Sequence, residues 1–94
     1  MQFARQTHDG IADGRVNMTF RLWSRPHAKV GGRYRVGRVM IEVDDIELVP
    51  FGVVTEAEAR QSGSDDLVAL RAITAHAGPI DDDTLVYRIE FHVV

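Results

Sequence analysis

The 94-residue chain contains no cysteine, which excludes both a disulfide framework and a thiolate metal site. Long apolar runs are missing as well. The longest fall far short of the roughly 20 residues a helix needs to cross a bilayer, and the opening Met1-Gln2-Phe3-Ala4-Arg5 lacks the apolar core of a signal peptide. A cytoplasmic location without membrane contact is the expectation. Internal repeats and low-complexity tracts are absent, and a composition 45% hydrophobic and 27% charged is that of an ordinary globular chain. At this length every segment shares one modest fold, so residues 1–94 are expected to form a single domain. Lysine is nearly missing too: Lys29 is the only one, so the basic character of the chain is carried by arginine.

The most local absence is of carboxylates. Between Arg15 and Arg38 there is none, while Arg15, Arg21, Arg25, Lys29, Arg33, Arg35 and Arg38 all fall there. Residues 1–38 hold eight basic side chains against Asp9 and Asp13, whereas residues 39–94 hold three against twelve carboxylates, leaving a net charge of −3. Folding is expected to gather the basic residues near one site and favour an anionic ligand. Trp23 and Tyr34 add flat faces on which a base can stack, so RNA or a nucleotide is the expected partner. Pairing with carboxylates of the later half, such as Glu42, Glu47 or Glu90, is the competing outcome.

The periodicities order the chain as follows. Phe3, Ala4, Thr7, Ile11 and Ala12 recur at roughly helical spacing, predicting a short helix over 3–13 that Gly10 weakens. From Arg15 to Trp23, Val16, Met18, Phe20 and Leu22 alternate with polar neighbours as in a half-buried strand. Ser24-Arg25-Pro26-His27 reads as a loop, because proline cannot donate to a ladder. A turn at Val30-Gly31-Gly32 leads into a strand from Arg33 to Val36 and on to Val39–Val43. After Asp44-Asp45 the apolar positions change parity to Ile46 and Leu48, which predicts a β-bulge, and such bends are what a small closed barrel requires. Thr55-Glu56-Ala57-Glu58 is a capping-box start for a helix ending near Ser62-Gly63, and Ser64-Asp65-Asp66 opens another that Gly78-Pro79 terminates. Leu85, Tyr87, Ile89, Phe91 and Val93 alternate through a final strand, expected to lie centrally in the sheet.

Catalytic and metal motifs are scarce. His8, His27, His76 and His92 are scattered with no ligand spacing, and Asp81-Asp82-Asp83 lacks the glycine and distal glutamate of a calcium loop, so no metal is expected. Ser24 and Ser62 have no base at recognisable spacing, so no nucleophilic triad is expected.

Taken in order, Ile11-Ala12-Asp13-Gly14-Arg15 with Thr19 and Arg21, Lys29-Val30-Gly31-Gly32 with Arg35-Val36-Gly37-Arg38, Val54-Thr55-Glu56 and Val86-Tyr87-Arg88-Ile89-Glu90-Phe91 make the chain resemble the ASCH domain, a branch of the PUA-like superfamily. The resemblance implies an α+β fold: a small PUA-like mixed β-barrel of about five to six strands flanked by two to three short helices, with a cleft that receives RNA or a modified nucleoside. Some members are acetylcytidine amidohydrolases and others nucleases. The amidohydrolases read Gly-Arg-Lys-Thr-x-Thr-x-Arg at the first strand, with the lysine catalytic. Here that stretch is Gly14-Arg15-Val16-Asn17-Met18-Thr19-Phe20-Arg21, and the glutamate that completes their site falls near Ser62. The expectation is therefore a binding module without catalytic residues or a cofactor, using Arg15, Thr19, Arg21, Trp23, Arg25, Lys29 and Arg33 to hold RNA or a nucleotide. A small hydrolase acting on a modified pyrimidine nucleoside or RNA is the alternative, and a protein-interaction domain a further one.

Overall fold

The computed structural model describes residues 1–94. The N-terminal segment forms a 3-10 turn at Arg5–Thr7 followed by α1 (His8–Ala12). Four strands follow along the chain, β1 (Met18–Arg21), β2 (Arg33–Val36), β3 (Val39–Pro50) and β4 (Leu85–Val93), with α2 (Glu56–Gln61) and α3 (Leu67–Thr74) between β3 and β4. They make one antiparallel sheet in the order β1-β4-β3-β2, so the last strand lies inside the sheet as its alternation and distant partners imply.

The bulge occurs where parity changes. Val43 opposes Phe91 and Asp45 opposes Glu90, leaving Asp44 as the extra residue. Directly opposed residues share a face, so beyond the bulge Ile46 joins Ile89 on the side of Val43 and Phe91, and Val49 joins Val86 on the other. The sheet therefore separates two apolar clusters. Met18, Phe20, Val49, Phe51, Val54, Ala59, Leu70 and Val86 pack beneath α2 and α3. Ile11, Val16, Val36, Ile41 and Phe91 pack on the other face beneath the N-terminal segment, with Phe3 and Tyr34 against them.

Local chemistry fixes the helices. Thr55 accepts from the Glu58 N–H at 3.1 Å while the Glu58 carboxylate accepts from the Thr55 N–H at 3.0 Å, completing the expected capping box. Asp66 caps α3 by accepting from the Ala69 N–H at 2.8 Å. Arg88 on β4 reaches Glu58 at 2.8 Å and Glu47 at 3.3 Å, tying α2 to the sheet.

Three expectations are corrected. The barrel of five to six strands is a four-stranded open sheet: β1 and β2 lie at opposite edges, and residues 22–32 between them are loop and turn. The strand expected over 15–23 shortens to Met18–Arg21, because the Val16 and Asn17 N–H groups donate instead to Gly10 and Gln61 carbonyls. The helix expected over 3–13 divides into the 3-10 turn and α1. Gly10 is required where it sits, since a Cβ there would lie 2.8 Å from Val16 Cγ2. No helix is long and apolar enough to cross a membrane.

Candidate functional site

β1 pairs with β4 along one side only. Phe91 N–H donates to the Asn17 carbonyl at 3.0 Å, and antiparallel alternation then turns Thr19 and Arg21 toward β4 and leaves the main-chain groups of Met18 and Phe20 at the free edge. A cleft of about 520 Å³ runs along that edge. Its walls are the N-terminal segment, with Gln2, Phe3, Gln6 and Thr7, and α3 with its following turn, contributing Leu70, Ile73, Thr74 and His76; Thr19 to Trp23 form the floor and Ser62 to Ser64 close one end. No carboxylate or lysine lines it.

Arg21 is the one guanidinium in this cleft. Its Nε donates to Thr19 Oγ1 at 3.0 Å and its Nη2 to the Gln2 carbonyl, while its Cζ lies 4.8 Å from the Phe3 ring centre and 5.8 Å from that of Trp23. It forms no ion pair, and burial lowers its pKa. A guanidinium stays protonated at neutral pH even so. A desolvated positive charge without a counter-charge is costly, which makes the cleft receptive to an anionic or strongly dipolar ligand. Trp23 is half-buried at the rim, its ring 5.0 Å from His27 and 6.0 Å from Tyr87.

The other predicted residues do not enter this cleft. Arg15 lies on an adjoining groove of about 300 Å³ that shares Gln6, Thr7, Gly63 and Ser64 with the cleft and also carries Arg60 and Asp65. There Arg15 holds Asp13 through its N–H at 3.0 Å and its Nε at 2.9 Å, and these bonds, the main-chain one foremost, lower the Asp13 pKa. Arg33 pairs with Glu42 across β2 and β3 at 2.9 Å, and Arg38 pairs with Asp9 at 3.3 Å. Arg25 and Lys29 are exposed and unpaired outside the cleft. The basic stretch thus disperses; Thr19, Arg21 and Trp23 are brought together and the remainder are not. Tyr34 is drawn into the second cluster, where its hydroxyl accepts from the Lys29 N–H at 3.3 Å.

Gly63 sets the junction between cleft and groove. It adopts φ +92°, and a Cβ there would meet Thr7 Cγ2 at 3.2 Å and Val16 Cγ2 at 3.3 Å. Val16 itself is 7% exposed and packs with Ile11, Val36, Ile41 and Phe91, so the position where the resemblance expects a lysine is core. Ser62, where it expects a glutamate, lines the cleft and donates its hydroxyl to the Ala59 carbonyl at 2.7 Å. The contributions of Gln2, Phe3 and Thr74 were invisible in the sequence, since no motif marks which segments fold back onto a strand edge.

No family model matches the sequence, and no curated protein matches it either. Among solved structures, an ASCH domain from Lactobacillus crispatus superposes with a TM-score of 0.77 at 16% identity, over 99% of this chain and 77% of that one. A DUF984 protein from Enterococcus faecalis superposes with a TM-score of 0.69 at 18% identity, over 95% of this chain and 67% of that one. The architecture is ASCH-like.

Proposed function

We propose that this ASCH-like fold serves as an RNA- or nucleotide-binding module whose ligand places a base in the cleft along the free edge of β1. The observation that carries the reading is Arg21, a charge desolvated among Phe3, Trp23 and Leu22 with no carboxylate beside it. The free N–H and C=O groups at Phe20 offer a planar heterocycle a donor and an acceptor, and the Trp23 and Phe3 rings offer stacking faces. Arg15, with Arg60, would meet phosphate along the adjoining groove, and Arg25, Lys29 and Arg33 farther out. A hydrolytic reading has less support, because His76 is the only imidazole on the cleft wall and no carboxylate or amine accompanies it.

Trp23 is the sole tryptophan, so its fluorescence reports on the cleft alone. Titration with mononucleotides and short single-stranded RNA at low salt is expected to change that emission saturably, with affinity falling steeply as salt rises. Arg21→Ala is expected to weaken binding by about tenfold or more, the loss typical of a charge-assisted hydrogen bond. No response at low salt, or an Arg21→Ala variant that binds equally well, overturns the proposal.

A further inference from the structure

Away from the cleft, β3 and β4 bring together side chains that are far apart in sequence. Glu42 stands directly opposite His92, and the bulge inserts Asp44 next to that pair. His92 Nδ1 lies 2.8 Å from Asp44 Oδ1, and one donor atom from each of Glu42, Asp44 and His92 falls within 4.8 Å of the others. We propose that these three residues bind a first-row divalent transition-metal ion such as Zn²⁺ or Co²⁺.

The donor chemistry selects the ion. One imidazole nitrogen with two carboxylate oxygens suits zinc, cobalt or nickel, whereas magnesium and calcium prefer oxygen throughout. Arg33 engages one oxygen of Glu42 and His92 one oxygen of Asp44, so each carboxylate retains a second oxygen for coordination.

A separate observation also favours a cation there. Immediately beside the trio, Asp45 opposes Glu90 across the sheet, and neither has a cationic partner. Like charges directly opposed destabilise a sheet, and a bound cation would relieve them. In addition, Asp44 and His92 line a cavity of about 560 Å³, which leaves an ion held by them open to solvent. This cavity shares no residue with the β1 cleft, so the inference stands or falls separately from the proposed function.

The test is titration of the purified chain with Zn²⁺ by calorimetry and with Co²⁺ by visible absorption. One ion per chain is expected, undiminished by excess Mg²⁺. His92→Ala and Asp44→Asn should each weaken binding by about tenfold or more, and both side chains are roughly half exposed, so circular dichroism should show the fold intact. Arg33→Ala should tighten binding several-fold by releasing Glu42, a gain that loss of folding cannot mimic. His27→Ala should leave binding unchanged. Absence of binding at millimolar Zn²⁺ and Co²⁺, full displacement by equimolar Mg²⁺, or affinity unaltered in His92→Ala refutes the site.

Discussion

At one edge of the sheet, β1 is covered by the N-terminal segment and α3, and the arginine it carries is desolvated and lacks an acidic partner. At the other edge, β2 is uncovered, and its arginines are exposed, with Arg33 paired to Glu42. The residue type is the same and the consequences are opposite. Exposed charge on a bare edge discourages another strand from adding there. On the covered edge helix and segment already block strand addition, so the desolvation cost of this charge is what the proposed binding role would account for.

The sharpest way to break this contrast is to remove the cover. Leu70 is 4% exposed and packs in the cluster beneath α3, so Leu70→Ala should destabilise the chain by about 2–5 kcal/mol in denaturant titrations and slacken the cleft with it. Next is Arg21→Met, which keeps the aliphatic stem and drops the charge. Ligand binding should fall by about tenfold or more while the denaturation midpoint holds or rises, because a partly desolvated charge without an ion-pair partner is exchanged for apolar contact; a marked fall in stability would show Arg21 to be structural. At the bare edge, Arg33→Ala should cost less than about 1 kcal/mol, the usual worth of an exposed pair, and leave the binding of a mononucleotide in the cleft unchanged. Replacing both Arg33 and Arg35 by valine should instead raise light scattering on concentration, by exposing an apolar strand edge.

The smallest effect belongs to Asp13. Its pKa is depressed in the folded chain by the Arg15 N–H and guanidinium, so the contact contributes above the ordinary carboxylate pKa and is lost as pH falls through the lower folded value. Carbon-detected NMR titration should place Asp13 below the ordinary aspartate value, and Arg15→Ala should raise it only in part, since the main-chain N–H remains.

Legibility in the sequence followed the range of the interaction. The Thr55–Glu58 box, the Asp66 cap and the alternation of Leu85 to Val93 are contacts within a few residues, and all were readable. The bulge was readable because a parity change is itself a local pattern. Closure of the sheet was not, since a bend at Asp44 is equally compatible with an open edge. For the basic stretch the sequence offered both convergence and pairing with carboxylates such as Glu42, and could not choose: Arg38 meets Asp9 from 29 residues away and Arg33 meets Glu42 across a turn, partnerships set by how strands are laid side by side. Of the candidate site, Thr19 and Arg21 were legible because alternation puts them on one face of one strand. The Asp44–His92 contact spans 48 residues and leaves no spacing for a motif to capture.

The position of β4 also governs how the molecule assembles. Synthesis yields β1 and β3 before the neighbour they share exists, so β1 lacks any strand to pair with until β4, made after both, inserts between them. Within the sheet only the β2–β3 hairpin closes early; β4 joins β3 across residues 51–84 and β1 across most of the polypeptide, a topology that slows folding and leaves the nascent intermediate open to capture by other chains.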